Sequence, residues 1–326
     1  MRIVWRRAMA ASIALATALA CSAPPDTPDD WRRLAGTDAW RPVPANPILC
    51  PGARGEWDEW AVMSMSVVRV GRTFHLYYEG GATGVGDLQV GHATSTDGLT
   101  WTKDPENPVL RPGAAGEWDD GATWDPFVLY EDGVFKMWYG GERMGHRDFQ
   151  CGYATSTDGV HFEKKGKIGT VPDGEMADMH VVHDRDTGRY VMYYWDRRFE
   201  PAGRLRRAES PDETGFDFGR AAPIRIEGEE PGHRYTHVLK LGDTWHMYYG
   251  FERKGRMGYA TSDEGVSWTT RNTDLGGGED AELLEVADDL FFMFFNPEGF
   301  QDEPGCDIRL ALFRGCLLYT SPSPRD

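Results

Sequence analysis

One short, aromatic-rich strand recurs five times along the chain and limits what the chain can fold into. The copies are FHLYYEG from Phe74, FKMWYGG from Phe135, YVMYYWD from Tyr190, WHMYYGF from Trp245 and FFMFFNP from Phe291. Units of about 45 to 61 residues, rich in strands and turns, are typical of propeller blades, which cannot bury both of their faces alone. The repeat predicts an all-β fold, a five-bladed β-propeller whose blades each contain four antiparallel strands.

A second repeat predicts how the ring closes. Trp40 and the stretch NPILCPG from Asn46 precede Trp101 and NPVLRPG from Asn107 by one repeat length. The segment ahead of blade 1 therefore looks like the outer strand of a blade, whereas blade 5 runs out of sequence after three strands near Arg314. We expect this N-terminal strand to complete blade 5 and to remove the exposed sheet edges.

The charge limits the partners. A formal net charge of -17 would repel the phosphates of nucleic acids and leaves neutral or cationic partners such as glycans. The same charge also serves solubility without any partner. We expect an oligo- or polysaccharide partner, no nucleic acid and a monomeric protein.

The first residues predict export. Three arginines precede an apolar run that ends at Ala20 and is too short to span a membrane. Residues 1–20 resemble a bacterial signal peptide, and Ala18-Leu19-Ala20-Cys21 resembles a lipobox. Lipidation at Cys21 would tether the domain through residues 21–37, at the periplasmic or the outer cell surface, with the membrane contacted only through this anchor. Secretion by simple cleavage after Ala20 is the alternative.

The predicted propeller domain covers residues 38–315. The tail at residues 316–326, CLLYTSPSPRD, equals the translation of a transposon adapter used to prepare sequencing libraries, and we interpret it as an artefact of sequencing. Three cysteines, Cys50, Cys151 and Cys306, remain in the domain without metal-site spacing and allow at most one disulfide.

Several motifs together resemble a known superfamily. They are the NPVL-PG linker, the strand WDPFVLYEDG of blade 2, FKMWYGG after it and the turn GYATSTDG, within residues 40–314. The chain resembles the five-bladed propeller glycoside hydrolases of families 43, 32, 62 and 68, with the phosphorolytic family 130 as a relative. The resemblance implies cleavage or transfer of glycosidic bonds by acidic residues that the inner strands of blades 1, 2 and 3 project into a funnel at the axis.

Aligning the five inner strands predicts which side chains meet at that axis. Counted back from the aromatic strands, one position holds Ser64, Asp125, Asp178, Tyr235, and Asp280 or Ala281. Two residues further on, the same face carries Ser66, Phe127, His180, His237, and Glu282 or Leu283. Charged groups are costly on a buried face unless they are paired or used, so these polar side chains mark a candidate site.

The resemblance assigns roles to some of these residues. Asp125 matches the aspartate that orients the site and modulates the acid, and the general acid falls on Asp178 or on Glu175. The general base falls on Ser64, which cannot act as a base of useful strength at neutral pH. We therefore expect a displaced carboxylate such as Glu59, or a protein that binds sugars without cleaving them.

The remaining polar and aromatic residues suggest ligand contacts. His180 and His237 with Asp280 or Glu282 could hold an axial cation, and the resemblance to family 43 implies Ca²⁺, although calcium requires mainly oxygen ligands. We expect no cofactor, with axial Ca²⁺ as the alternative. We expect these residues, with Ser64 and Tyr235, to contact substrate hydroxyls, and the histidines could equally be satisfied core residues. Trp124 is a candidate for stacking on a sugar ring or for filling the gap between blades.

We predict a glycoside hydrolase, and three alternatives are weighed against it. A non-catalytic carbohydrate-binding propeller would explain Ser64, and a family 130-like phosphorylase would share the fold. The octet from Thr261 to Trp268 fits the Asp-box of sialidases, whereas the first copy, Thr94 to Trp101, has threonine at the aspartate position. Sialidases also have six blades and an arginine triad.

Overall fold

The computed structural model describes residues 28–37, 39–146, 148–169, 176–199, 204–228, 233–251, 256–272, 275, 278–297 and 305–315. The predicted signal peptide, Cys21, Glu175 and the tail at 316–326 lie outside these ranges. Five small sheets follow one another along the chain, one for each predicted blade. The five-bladed β-propeller predicted from the aromatic repeat is confirmed.

The strands are numbered in chain order, and each blade takes consecutive strands except at the closure. Before blade 1 lie a helix, α1 (Pro28–Leu34), and strand β1 (Arg41–Pro42). Blade 1 contains β2 (Ala61–Val70), β3 (Thr73–Gly81), β4 (Gln89–Ser95) and β5 (Thr102–Lys103). Blade 2 contains β6 (Ala122–Glu131), β7 (Val134–Glu142), β8 (Gln150–Ser156) and β9 (Glu163–Lys167). Blade 3 contains β10 (Met176–Asp184), β11 (Arg189–Asp196), β12 (Arg204–Ser210) and β13 (Ala222–Pro223).

Blade 4 departs from the predicted pattern of four antiparallel strands. It contains β14 (Arg225–Ile226), β15 (His233–Leu241), β16 (Thr244–Phe251), β17 (Met257–Ser262) and β18 (Ser267–Asn272), and β14 runs parallel to β18. Blade 5 contains β19 (Glu279–Ala287), β20 (Leu290–Asn296) and β21 (Arg309–Arg314). Short 3-10 helices cover Val85–Asp87, Arg197–Phe199 and Phe218–Arg220.

The N-terminal strand closes the ring as predicted. Arg41 and Pro42 of β1 pair with Leu312 and Ala311 of β21 in antiparallel register. The backbone of Ile48 adds a further hydrogen bond to Ile308. Blade 5 is therefore built from both ends of the propeller sequence, and its outer edge is covered.

The propeller begins earlier than the sequence predicted. Residues 21–37 were expected to form a tether, but Pro28–Leu34 is helical and Trp31 is 1% exposed. The Trp31 ring packs edge-on against Phe74 and Phe292, and its indole N–H donates to the carbonyl of Asp97 at 3.0 Å. The boundary was misplaced because a seven-residue helix leaves little periodic signal. Nothing among the described helices has the length and hydropathy needed to cross a bilayer.

The aromatic strands form the core because both faces of each blade are covered. In β3 the consecutive residues Leu76, Tyr77 and Tyr78 are all fully buried, and β7, β11 and β20 repeat this pattern. Consecutive strand residues point to opposite faces of a sheet, so a run of aromatic residues is buried only if both faces are covered. The neighbouring blades cover both faces with apolar side chains. The three cysteines of the domain are free thiols, so no disulfide contributes to the core.

Candidate active site at the propeller axis

Each inner strand contains a bulge at the position that the alignment selected. The pairing register shifts beside Ser64, Asp125, Asp178, Tyr235 and Asp280. These five residues adopt φ between 32° and 52°, a left-handed conformation that is uncommon for residues other than glycine. All five line one small axial cavity of about 30 Å³. The repeated bulge therefore directs one side chain from every blade toward the axis, and in blade 5 this side chain is Asp280.

Hydrogen bonds join these positions from blade to blade. The amide of Ser64 donates to Asn296 of blade 5 at 3.1 Å, and the amide of Asp125 donates to Glu79 of blade 1 at 3.1 Å. The amide of Asp178 donates to the carboxylate of Asp125 at 2.9 Å. A side chain of the preceding blade thus accepts the amide at each of these bulges and fixes the spacing of the acidic groups.

A second layer lies two residues further along the same strands, as the alignment predicted. His180 packs between Phe127 and His237, with ring centroids 4.2 and 4.3 Å away. Glu282 lies 2.7 Å from His237 Nδ1, and its other oxygen accepts from the Val67 amide and from Ser66 Oγ. Burial lowers the pKa of both histidines to about 3, so both imidazoles are neutral at physiological pH.

A larger cavity of about 430 Å³ opens beside the axial one. Asp125 and Asp178 line both cavities. The walls of the larger cavity are partly apolar and partly charged, with Met63, Leu88, Trp124, Phe149, Ala177, Glu79, Glu142, Arg197 and Arg234 among its lining residues. Apolar walls with a few converging polar groups are typical of small-molecule sites, so this cavity is the candidate substrate funnel.

Two acidic residues of the funnel, Glu79 and Glu142, were missed by the sequence analysis, and Glu79 is the one beside Asp125. It lies on β3, opposite Met63, and is 3% exposed. Burial raises its pKa well above the ordinary value, and the negative charges of Asp125, Asp280 and Asp178 raise it further. Its counterpart in blade 2 is Gly140, opposite Trp124, so the repeat does not mark an acid at this position. The available signal was one glutamate in an otherwise aromatic and glycine-rich strand, FHLYYEGG.

Asp125 and Asp178 occupy different electrostatic environments. Burial raises the pKa of Asp125 to about 7, and the neighbouring Asp178 adds to the effect. Asp178 instead forms an ion pair with Arg234 at 3.0 Å. The guanidinium of Arg234 lies over Trp195 and Tyr235, at 4.2 and 4.6 Å from their ring centroids. The site therefore combines carboxyl groups whose pKa is raised with one carboxyl group that has a fixed positive partner.

Glu59, the carboxylate suggested as a displaced base near Ser64, lies away from the axis. The Glu59 carboxylate accepts a hydrogen bond from the Gly55 amide in its own turn and lines neither axial cavity. Its neighbour Asp58 bonds Lys103 at 2.6 Å and Tyr78 at 3.0 Å, and Asp119 makes the same two contacts in blade 2. The acids of the GEWD turns are therefore structural. In blade 1 the carboxyl group that reaches the funnel is Glu79.

The other predicted contact residues also lie near the axis. Tyr235 is 5% exposed and lines the axial cavity, and burial raises its pKa well above the ordinary value of a tyrosine. Trp124 packs edge-on against Phe149, with ring centroids 5.1 Å apart, and lines the funnel. The alignment thus brought the predicted inner-strand side chains together, whereas Glu175 lies outside the described residues.

The calcium implied by the family resemblance does not fit the cluster of His180, His237 and Glu282. His180, His237 and Glu282 offer ligand atoms that all lie within 4.8 Å of one another. Two of these three ligands are imidazole nitrogens, whereas Ca²⁺ requires six to eight oxygen ligands. The donor chemistry at this position is that of a metal that prefers nitrogen.

No family model matches the chain. The chain is 35% identical over 165 residues to an uncharacterised protein of Mycobacterium tuberculosis, covering 48% of this chain and 54% of that protein. It is 30% identical over 255 residues to sucrose-6-phosphate hydrolase of Escherichia coli, and the match covers 73% of this chain and 50% of that protein. The chain thus spans about half the length of the curated relatives it matches.

Solved structures show the same fold over nearly their whole length. A thermostable family-43 glycoside hydrolase superimposes with a TM-score of 0.63 at 16% identity, covering 86% of this chain and 99% of that one. β-1,2-Mannobiose phosphorylase from Listeria innocua, in complex with β-1,2-mannobiose, gives a TM-score of 0.65 at 14% identity. The superposition covers 84% of this chain and 96% of the phosphorylase chain. The chain therefore shares the five-bladed β-propeller fold of this hydrolase and this phosphorylase.

Proposed function

We propose that the protein is a glycoside hydrolase that cleaves oligo- or polysaccharides in the funnel at the propeller axis. The observation that carries this proposal is the convergence of Glu79, Asp125 and Asp178 on one cavity of about 430 Å³. Glycoside hydrolysis needs one carboxylic acid to protonate the leaving oxygen and one carboxylate on the other side of the scissile bond.

Glu79 is the residue best suited to donate the proton. Its burial and three neighbouring acidic residues raise the pKa of its carboxyl group, which favours the protonated form that a proton donor needs. A protonated carboxyl in the funnel can transfer its proton to the glycosidic oxygen as the bond from that oxygen to the anomeric carbon breaks. This assignment replaces Asp178 and Glu175, which the family resemblance had suggested for the acid.

Asp178 is the residue best suited to the second role. Asp178 lines the funnel, and one of its carboxyl oxygens forms an ion pair with Arg234 at 3.0 Å. That oxygen can take a proton from the water that attacks the anomeric carbon, or it can attack the carbon itself and later be released by water. Asp125 lies between the two, because its amide donates to Glu79 and its carboxylate accepts from the amide of Asp178. It orients both groups, as the resemblance implied.

The walls of the funnel favour a carbohydrate ligand. The ring faces of sugars are apolar and pack against aromatic side chains, which Trp124 and Phe149 provide at the cavity wall. The cavity volume lies within the range of small-molecule sites and is large enough for sugar-sized ligands.

The experiment is a release assay with the purified protein on a panel of aryl glycosides and oligosaccharides. We expect cleavage by the wild type, and a loss of kcat of about 100-fold or more in Glu79→Gln and in Asp178→Asn. Glu79→Gln should also lose the alkaline limb of the pH profile, because that limb reports the group that must stay protonated. Glu59→Gln removes a carboxylate of the same blade outside the funnel and should keep full activity.

The alternative without catalysis gives a different result in the same experiment. If no glycoside is cleaved while calorimetry shows that sugars bind, the protein is a carbohydrate-binding propeller and the hydrolase proposal is wrong. Cleavage that persists in both funnel variants would also overturn the assignment of roles.

Phosphorolysis is the second candidate, and the basic residues of the funnel favour it. Arg197 and Arg234 both line the cavity, and guanidinium groups are well suited to phosphate. A phosphorylase would release a sugar 1-phosphate only when inorganic phosphate is present. Hydrolysis would proceed at the same rate without it, so product analysis with and without phosphate separates the two reactions.

We also propose, from the sequence alone, that the protein is exported and acylated at Cys21. Labelling of the expressed protein with a tagged fatty acid should depend on this cysteine. A Cys21→Ser protein that labels as strongly as the wild type would contradict this proposal.

A further inference from the structure

The second layer of the axis contains a cluster that the hydrolase mechanism does not use. It consists of His180 on β10, His237 on β15 and Glu282 on β19, one residue from each of blades 3, 4 and 5. All three side chains are at least nine-tenths buried, with exposed fractions of 4%, 3% and 6%. Buried imidazole and carboxylate groups are costly unless they have partners, so the partners of each group are decisive.

His180 is held as a ligand histidine is usually held. Its Nε2 lies 2.9 Å from the carbonyl of Val238, an acceptor that can pair only with N–H. The proton of the neutral ring therefore resides on Nε2, and Nδ1 keeps its lone pair. Histidines that bind metals commonly donate the other ring N–H to a backbone carbonyl, which fixes both the tautomer and the orientation of the ring.

His237 has one nitrogen without a partner among the described residues. Nδ1 lies 2.7 Å from Glu282 and 3.3 Å from the amide of Leu283, whereas Nε2 is buried and makes no hydrogen bond to any described group. The proton can reside on either nitrogen, and in both tautomers the Nε2 side of this ring is unsatisfied. Nδ1, rather than Nε2, faces Glu282, so Nδ1 is the atom of this imidazole that can share one ion with that carboxylate.

Glu282 is oriented by blade 1. One of its oxygens accepts from the amide of Val67 at 3.3 Å and from Ser66 Oγ at 3.4 Å, and the other oxygen faces His237. Hydrogen bonds of this kind to a carboxylate fix its direction in the way that outer contacts fix metal ligands. Four of the five blades thus contribute a ligand or a contact that orients one.

From these contacts, we propose that His180, His237 and Glu282 bind a divalent transition metal of the zinc class on the propeller axis, and that this site rejects calcium. Two nitrogen ligands and one carboxylate are a common zinc set, and three protein ligands leave a position for water or another group. Imidazole suits zinc, copper, nickel and iron, whereas calcium is held by oxygen.

The ion would stabilise the closed ring of blades rather than take part in cleavage of the glycosidic bond. Its ligands come from three blades that are far apart in sequence, so binding joins them across the axis. A metal that binds the folded and not the unfolded chain stabilises the fold by mass action. We therefore expect Zn²⁺ to raise the melting temperature, and a chelator to lower it, whether or not the protein cleaves glycosides.

The test uses the purified full chain after removal of metals with a chelator. Calorimetry should show one equivalent of Zn²⁺ bound, with no heat from Ca²⁺, and Co²⁺ should give a visible absorption band that Zn²⁺ abolishes and Ca²⁺ does not. His237→Gln and Glu282→Gln should each weaken zinc binding about tenfold or more. Two controls should bind as the wild type does: His246→Gln removes another buried histidine of blade 4, and His161→Gln removes an exposed histidine beside two carboxylates.

Several results would overturn this proposal. Zinc affinity unchanged in His237→Gln and Glu282→Gln would place any bound ion elsewhere, and tighter binding of Ca²⁺ than of Zn²⁺ would contradict the donor chemistry. Should these variants not fold, the Cu²⁺-loaded wild-type protein carries the test. Its EPR spectrum should show coupling to two imidazole nitrogens, and a spectrum from oxygen ligands alone would refute the site. Every readout is independent of glycosidase activity, so failure here and failure of the proposed function are distinguishable.

Discussion

Replacing Asp125 with asparagine should make the protein more stable at neutral pH, because the native aspartate opposes folding there. Burial and the adjacent Asp178 raise its pKa from 3.8 to about 7. Between these two pH values the folded state holds a proton that the unfolded chain has released, so stability falls as the pH rises. Each pH unit in this interval costs the folded state about 1.4 kcal/mol, or roughly 4 kcal/mol in all by pH 7.

The measurement is urea unfolding of the wild type and of Asp125→Asn at pH 4.5 and at pH 7.5. Asparagine can still accept the amide of Asp178 but cannot ionise. We expect the wild type to lose roughly 3 kcal/mol more than the variant between the two pH values, with similar m-values.

Asp196→Asn is a control for which we expect the opposite effect on stability at pH 7.5. Asp196 is completely buried, and Arg198 and Arg206 hold its pKa below the ordinary value against the effect of burial. The stability that it contributes is present above the unfolded pKa and is lost as the pH falls, so its asparagine variant should be destabilised at pH 7.5. If Asp125→Asn is no more stable than the wild type at pH 7.5 and its stability depends on pH in the same way, the claim that the funnel raises the pKa of Asp125 is wrong.

Three further predictions concern the core, a buried ion cluster and the funnel. Trp31→Ala should lower the free energy of unfolding by about 3 kcal/mol or more, measured in urea, because it removes the side chain that docks α1 onto the ring. Lys136→Met should cost about 3 kcal/mol at pH 7, because Lys136 bonds Glu131 at 3.0 Å and Glu213 at 2.6 Å between blades 2 and 3. Both glutamates have lowered pKa values, so this cost should shrink as the pH falls and they become protonated; an equal cost at pH 4 would contradict the explanation. Trp124→Ala should raise KM with little change in kcat, and an unchanged KM on every cleaved substrate would remove this residue from the site.

The sequence predicted the parts of this structure that repeat. Once the aromatic strands are aligned, the position of Ser64 in blade 1 identifies Asp125, Asp178, Tyr235 and Asp280. The alignment succeeds because the inner strand of every blade has its bulge at the same aligned position. The same periodicity located strand β1 at the ring closure. A pattern that occurs five times averages out the local ambiguities that limit the interpretation of a single strand.

What the sequence did not predict occurs once. Glu79 lies opposite the bulge of blade 1, whereas blades 2 and 4 have Gly140 and Gly250 at the equivalent places. Blade 5 has Asn296 there, which accepts an inner-strand amide as Glu79 does but has no carboxyl group, so the repeat does not mark an acid at this position. Arg234 is likewise adjacent to an aligned position without being one of them, and its partner Asp178 comes from another blade. Contacts between blades depend on how the sheets are arranged around the axis, which no local pattern encodes. The short helix α1 was missed for the related reason that it has no counterpart in the other blades.

The closure of blade 5 by β1 has a consequence for the order in which the parts of this fold form. In blades 1 to 3 the paired strands are neighbours in sequence, so each sheet closes short loops, whereas Arg41 must find Leu312 across nearly the whole chain. Long loops are costly to close before other contacts hold their ends together, so we expect this pairing to form late. Blade 5 also carries Asp280 and Glu282. A chain that has not yet added blade 5 therefore lacks Asp280 and Glu282 at the axis, and the proposed cleavage would begin only after the ring has closed.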